Sequence, residues 1–298
     1  MAIAYGSFTS ICCGRSLDEN DTCACSRDRS GGAPDVPYDS HRVVERCMRQ
    51  FLKKVFITER ELIPLWLLRQ IGRLILPRYR FKWIQLDWWD NNDFTQYLSR
   101  YDELHRLNTD RRWMLHQLLR LIEAIPGDTA ECGVFKGASS HLILCANRSS
   151  AIERMHYAFD SFAGLSQPDT VDGQHWTSGD LSVTEAIVAR NLTPLGNVQL
   201  MRGWIPSRFS EVAEHQFAFV HIDVDLHQPT LDSIRFFYPR MPAGAILVCD
   251  DYGCSTCPGA TQAIDDFLHD KPEKMLALPD GGGFFIRGKT TAAAASLG

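Results

Sequence analysis

No run of about eighteen uninterrupted apolar residues occurs in this 298-residue chain, which excludes a membrane-spanning helix. The first residues lack a basic start followed by a continuous apolar stretch, so no secretory leader is expected and a cytoplasmic location is. Basic residues are not in excess. The net charge is −5, which argues against general nucleic-acid binding. A zinc-finger pattern is also missing: Cys254 and Cys257 form a CxxC, but no second CxxC or His pair follows at the required spacing. That CxxC follows an acidic loop and does not open a helix after a thioredoxin-type strand. The ten cysteines are therefore expected to be ordinary reduced thiols. No internal repeat is visible.

What is present divides the chain into four segments. Residues 1–44 are rich in Ser, Gly, Asp and Cys without periodicity, and disorder is expected there. Residues 45–104 alternate bulky apolar residues with arginines; between Arg49 and Lys82 nine Lys or Arg stand against two Glu. A helical extension that packs on the main domain or on a second copy in a homodimer is one expectation. The other is peripheral contact of residues 45–90 with anionic lipid, anchored by Trp66, Trp83, Trp88 and Trp89. From about residue 105 to 288, short apolar runs ("TAECGVF", "MHYAFD", "VQLMRG", "FAFVHID", "AILVCDD") alternate with stretches of helical spacing over 110–125, 138–148, 183–191, 228–238 and 259–269. This alternation predicts an α/β fold with a doubly wound, mostly parallel sheet. "GGGFFIRG" reads as a last, antiparallel strand, and residues 289–298 as a flexible tail.

The first strand ends in "AECGVFKGASS". Gly133 and Gly137 permit a tight turn into a helix and close approach of a ligand. Their spacing is not that of G-x-G-x-x-G, and no Gly-Lys-Ser/Thr follows them, so neither dinucleotide nor Walker-type phosphate binding is indicated. Glu131 would repel a pyrophosphate but suits the ammonium, sulfonium and ribose hydroxyls of S-adenosylmethionine. The second strand ends in Asp160, 23 residues beyond Gly137, where an acid can accept hydrogen bonds from ribose. A structural turn and a helix cap are the alternatives for these two features.

The fourth and fifth strands both end in paired acids: Asp223 and Asp225, then Asp250 and Asp251. Neighbouring strands would bring these carboxylates to one rim, where they repel unless a hard divalent cation joins them. Mg²⁺ suits such a site, with Mn²⁺ or Ca²⁺ as alternatives. An Asp-x-Asp after an apolar strand also marks metal-dependent glycosyltransferases, a reading that leaves Glu131 and the glycine turn unexplained. Haloacid-dehalogenase phosphatases place the motif on their first strand and want Thr or Val where this chain has His227.

Taken together, "PGDTAECGVFKG", "YAFDSFAGL", "GDLS", "GWIPSRF", "FVHIDVDLHQPTLDSIRFFYPRM", "CDDYG" and "CPGATQAIDDF" resemble the macrocin O-methyltransferase family, in family order from about 105 to 287. The resemblance implies a Rossmann-like sheet of the class I methyltransferase type. It also implies methyl transfer from S-adenosylmethionine to a hydroxyl of a sugar or glycosylated natural product. By motif, Asp223, Asp250 and Asp251 would hold Mg²⁺ and Asp225 would be the general base. Glu131, Gly133, Gly137, Asp160 and Ser161 would line the cofactor site. His227 stands where the family often has Tyr, which puts it on the acceptor side; capping the next helix is its alternative role.

Overall fold

Six β-strand segments anticipated from the sequence are present, and one further strand joins them. In chain order they are β1 (Asp128–Cys132), β2 (His156–Asp160), β3 (Val198–Arg202), β4 (Phe217–Ile222), β5 (Ile246–Cys249), β6 (Leu276–Ala277) and β7 (Gly283–Ile286). They form one sheet in the order β3-β2-β1-β4-β5-β7-β6. Pairs among the first five strands are parallel, whereas β7 runs antiparallel to β5 and β6. The unanticipated β6 is only two residues long, too short for any periodicity to show.

These features belong to a computed structural model that describes residues 91–104 and 108–292, with Trp88 and six residues between 67 and 75. The segment expected to be disordered, 1–44, lies outside the described residues. So do nearly all of 45–90, with its lipid and dimer expectations, and most of the tail. The chain divides into two compact units, Met1–Trp83 and Ile84–Gly298; the second carries the sheet. Among the described residues, no helix is long and apolar enough to cross a membrane.

The helices of this unit are α1 (Asn92–Arg100), α2 (Thr109–Leu119), α3 (Ala138–Ser149), α4 (Glu185–Leu192), α5 (His227–Phe237) and α6 (Pro258–Leu268). Each of α3 to α6 matches its anticipated range to within two residues, the ordinary uncertainty of helix ends. Local chemistry explains several of the boundaries. Asn91 caps α1 by accepting the Phe94 N–H at 2.9 Å. Pro258 opens α6, where its missing N–H costs nothing. Helix α2 gives way to a 3₁₀ turn over Arg120–Ile122 before the "PGD" turn.

Alternation along the strands sorts their side chains to two faces. Val220, Ile222, Leu247 and Cys249 pack with Ile234, Phe237, Ile264 and Leu268 of α5 and α6. Phe219, Ile246 and Val248 pack on the other face with α1, α2 and α3, through Phe94, Leu115 and Ile143. Strand β4 is buried at all six positions, as a central parallel strand covered on both sides must be. Strand order reverses between β1 and its neighbours β2 and β4, so a crevice opens beyond the carboxyl ends of these strands.

Gly133 closes that end of the sheet. Its φ is +82°, and a Cβ there would lie 1.8 Å from the Asp223 carbonyl oxygen. The glycine therefore permits close approach of β1 to β4. Gly133→Ala should lower stability by at least about 2 kcal/mol from left-handed strain and the clash together, read as a lower midpoint in urea unfolding.

Candidate active site

The crevice is a cavity of about 440 Å³. Its lining brings Gly133, Asp160, Ser161 and Trp204 together with Asp223, Asp225, Asp250 and Asp251, and with Trp176 and Cys257; Gly133 itself abuts the Asp223 carbonyl. The glycine turn and the four strand-end acids thus open into one space.

Asp160 shapes the glycine turn. Its carboxylate accepts the N–H groups of Val134 at 2.8 Å and Phe135 at 3.2 Å, and that of Phe162 at 2.7 Å. Ser161 donates its hydroxyl to the Gly164 carbonyl at 2.8 Å. Gly137, with φ +90°, precedes α3, and a Cβ there would press on Leu192 at 2.9 Å. It shapes the turn whose neighbours Phe135, Lys136, Ala138 and Ser139 line the cavity.

Glu131 stands back from the cavity. It is 1% exposed and lies behind the wall, because strand alternation turns it toward α3. There it accepts a hydrogen bond from Ser140 Oγ and faces His221 Nδ1 at 2.9 Å. His221 is fully buried, and its Nε2 has no hydrogen-bond partner. That nitrogen lies 3.6 Å from Asp250 Oδ1, an ion-pair contact rather than a hydrogen bond. Burial works against a charged His221, but the two flanking acids outweigh it and push the imidazole up to about 10. Burial likewise disfavours the charge on Glu131, and His221 more than offsets it, holding the carboxyl below its ordinary value.

The four acids differ sharply in their surroundings. Asp250 meets Arg111 Nη1 at 2.7 Å and Arg112 Nη1 at 4.0 Å. Burial favours its neutral form, yet Arg111 and His221 overcome this and hold it well below the usual carboxylate range. Arg112 is itself 6% exposed and is shared with Glu103 at 2.9 Å. Asp223, Asp225 and Asp251 make no ion pair among the described residues. Burial first, then repulsion by Asp250, pushes Asp223 up to about 7. Burial pushes Asp225 up to about 6 against the hydrogen bond from Cys257. Burial and the three other aspartates push Asp251 well up.

Strand β4 ends at Ile222, so Asp223 and Asp225 lie beyond its extended backbone. Asp225 has φ +61°, and its N–H donates to Asp251 Oδ2 at 2.8 Å. Two groups of possible ligand atoms result: His221, Asp223 and Asp250, then Asp225, Asp251 and Cys257, each within 4.8 Å. The three expected metal ligands straddle these adjoining groups. Buried carboxylates without cations are the donor set that a hard divalent ion satisfies, so the residues fit Mg²⁺ or Mn²⁺. His221 Nε2 belongs to the first of these groups, beside Asp223 and Asp250.

His227 is the remaining expected residue. Its backbone N–H donates to Asp172 Oδ1 at 2.7 Å as α5 begins, and it does not line the cavity, whereas Leu226 and Gln228 do. Its backbone thus takes the position at the helix start that was its alternative role.

The family described as macrocin O-methyltransferase (TylF) matches residues 107–281, more than half of the chain. The chain belongs to this family of S-adenosylmethionine-dependent O-methyltransferases. Family membership sets aside the glycosyltransferase alternative. Over 196 residues the chain is 29% identical to the 8-demethyl-8-(2,3-dimethoxy-alpha-L-rhamnosyl)-tetracenomycin-C 4'-O-methyltransferase of Streptomyces olivaceus, covering 59% of this chain and 71% of that protein. Over 181 residues it is 28% identical to the demethyldecarbamoylnovobiocin O-methyltransferase of Streptomyces niveus, covering 55% of this chain and 67% of that protein. In fold it resembles the calicheamicin methyltransferase CalS11, with a TM-score of 0.57 at 18% identity over 72% of this chain and 97% of that one.

Within this macrocin O-methyltransferase frame, the cations around Asp250 were not anticipated. Arg111 and Arg112 sit in a helix read only for its apolar spacing. The signal was there: Arg112 falls three residues before Leu115 and seven before Leu119, on the stripe that faces the core. A histidine inside the otherwise apolar "FAFVHI" was a second signal, since a polar group buried there requires a partner.

Proposed function

We propose that this macrocin O-methyltransferase family member methylates a sugar hydroxyl of a glycosylated natural product, with a divalent ion on Asp223, Asp250 and Asp251. One observation carries the reading: a single cavity joins the glycine turn at Gly133 to the four aspartates. The relatives' activities on a rhamnosylated tetracenomycin and a novobiocin precursor support the acceptor class.

When bound, S-adenosylmethionine supplies an electrophilic methyl group, and the ion supplies positive charge that eases removal of a hydroxyl proton. The backbone from Gly133 to Ser139, with Asp160 and Ser161, holds the cofactor. Glu131 supports that wall from behind. Arg111, Arg112 and His221 keep Asp250 ionised. Asp225 takes the hydroxyl proton as the new oxygen–carbon bond forms and the carbon–sulfur bond breaks, leaving S-adenosylhomocysteine. Holding oxygen, carbon and sulfur in line can supply on the order of 7–11 kcal/mol of the barrier.

The test is a panel of glycosylated polyketides and aminocoumarins bearing free sugar hydroxyls, incubated with S-adenosylmethionine and Mg²⁺ and read by mass spectrometry. A methylated glycoside is expected, with activity lost in excess EDTA and restored by Mg²⁺. Full activity in EDTA would remove the ion from the reading while leaving the methyl transfer intact.

A further inference from the structure

Asp225 is held from three directions. Its backbone is left-handed at φ +61°, its N–H is fixed on Asp251 at 2.8 Å, and its Oδ1 accepts the Cys257 thiol at 3.5 Å. The Cys257 sulfur in turn accepts the indole N–H of Trp176 at 3.3 Å. Chemistry fixes the direction of both bonds. An indole N–H can only donate and an ionised carboxylate can only accept, so in the contact with Asp225 the thiol is the donor; Thr256 Oγ1, 3.6 Å from the sulfur, can donate to it in turn. Cys257 is 2% exposed, and both it and Trp176 line the cavity.

Trp176 belongs to the long connection between β2 and α4, whose Leu165 and Leu181 also wall the cavity. That connection is pinned by Asp172, a buried acid whose carboxylate accepts the N–H of Asp169 at 2.8 Å and that of His227 at 2.7 Å. A Cβ on Gly259, at the start of α6, would fall 2.0 Å from Asp172 Oδ1. The connection, the start of α5 and the start of α6 therefore close around Asp225 as one packed assembly.

We propose that Cys257 and Trp176 are positioning residues for Asp225, tying the cavity wall carried by the β2–α4 connection to the proton acceptor. This rests on the reading of Asp225 as the base. A carboxylate free to rotate would present either oxygen; one whose Oδ1 is taken by the thiol presents Oδ2 to the hydroxyl. The CxxC that suggested no metal or redox role thereby acquires one, through its second cysteine alone. Placement of the wall by a bound acceptor then sets the aim of the base, so acceptors that fill the wall poorly lose turnover as well as affinity.

The experiment compares Cys257→Ala, Cys257→Ser, Trp176→Phe, the Ala/Phe double variant and Asp225→Asn. It uses the full chain and the glycoside of highest turnover in the panel above. Cys257→Ala should lower kcat about 10- to 100-fold with KM for S-adenosylmethionine unchanged, the scale of a misaimed group. Cys257→Ser, whose hydroxyl donates the same bond, should return kcat to within about 3-fold of wild type. Trp176→Phe should lower kcat about 2- to 10-fold, one neutral hydrogen bond, and the double variant should be no slower than Cys257→Ala alone. In the S-adenosylhomocysteine complex, the ¹⁵N-indole signal of Trp176 should move upfield in Cys257→Ala, a readout that needs no acceptor. A wild-type kcat in Cys257→Ala, a Ser variant as slow as the Ala variant, or an unmoved indole signal would overturn the proposal. Wild-type kcat in Asp225→Asn would instead overturn the assignment of the base, whatever Cys257 does.

Discussion

Asp250→Asn and Asp251→Asn should each cut methyl transfer by about three orders of magnitude or more, yet move stability in opposite directions. Loss of a carboxylate from the ion site removes several kcal/mol of charge stabilisation in the transition state. Cofactor binding should survive in both variants, because the cofactor is assigned to the glycine turn, Asp160 and Ser161 and not to these two carboxylates; calorimetry reads this directly. Stability separates the two. Asp250 is the anion of a buried ion-pair cluster with Arg111, Arg112 and His221. Neutralising it strands the nearly inaccessible Arg112 with Glu103 alone, and a buried pair broken on one side costs about 3–5 kcal/mol. Asp251 has no such partner among the described residues, and its carboxyl is pushed up by burial and three like charges. Its amide isostere relieves that repulsion and still accepts the Asp225 N–H through Oδ1. In EDTA, Asp250→Asn should therefore unfold at lower temperature than wild type and Asp251→Asn at the same or higher temperature. Mg²⁺ should raise the wild-type midpoint and leave both variants unmoved, since only an ion bound to the native state stabilises it. Equal stability losses in the two variants would mean that the arginines do not discriminate between the acids.

That contrast marks what was and was not legible in the sequence. The four aspartates could be placed because each follows an apolar run whose end is local information. The glycine turn, the parallel strands and α3 to α6 were legible for the same reason. The partners of those acids were not, because Arg111 meets Asp250 across 139 positions of chain and only the packing of α2 on the sheet makes them neighbours. Glu131 was assigned to the cofactor wall from its position at a strand end. Its true direction follows from which face α3 covers, and a five-residue strand does not reveal that by itself. Gly133 was singled out for a missing side chain, and a neighbour that demands it is the backbone of Asp223. His227 sits at the start of α5, where its amide donates to Asp172, a partner 55 positions away that the sequence could not name. In each case the residue type and the strand end were informative, and the third dimension decided the partner.

The second large effect is expected at Asp225. Asp225→Asn should lower kcat about 10²- to 10⁴-fold, the range for removing a positioned proton acceptor, with KM for S-adenosylmethionine unchanged. Asparagine is the right probe because it tolerates the left-handed backbone at φ +61°, keeps the N–H bond to Asp251 and retains an Oδ1 for Cys257. Alanine would add strain at that backbone position and confuse catalysis with folding. The pH profile supplies the independent check. Burial raises the Asp225 carboxyl to about 6 in the metal-free protein, and only the ionised form can accept a proton. Wild-type activity should therefore fall as pH drops through an acid limb no higher than about 6, since a nearby cation favours the carboxylate and can only move that limb down. In Asp225→Asn the residual rate should lose this limb, because the amide has nothing to titrate there. A variant slowed only a few-fold, with the limb intact, would transfer the role to another group, and Asp251, whose Oδ2 already touches the Asp225 amide, is the neighbour placed to take it.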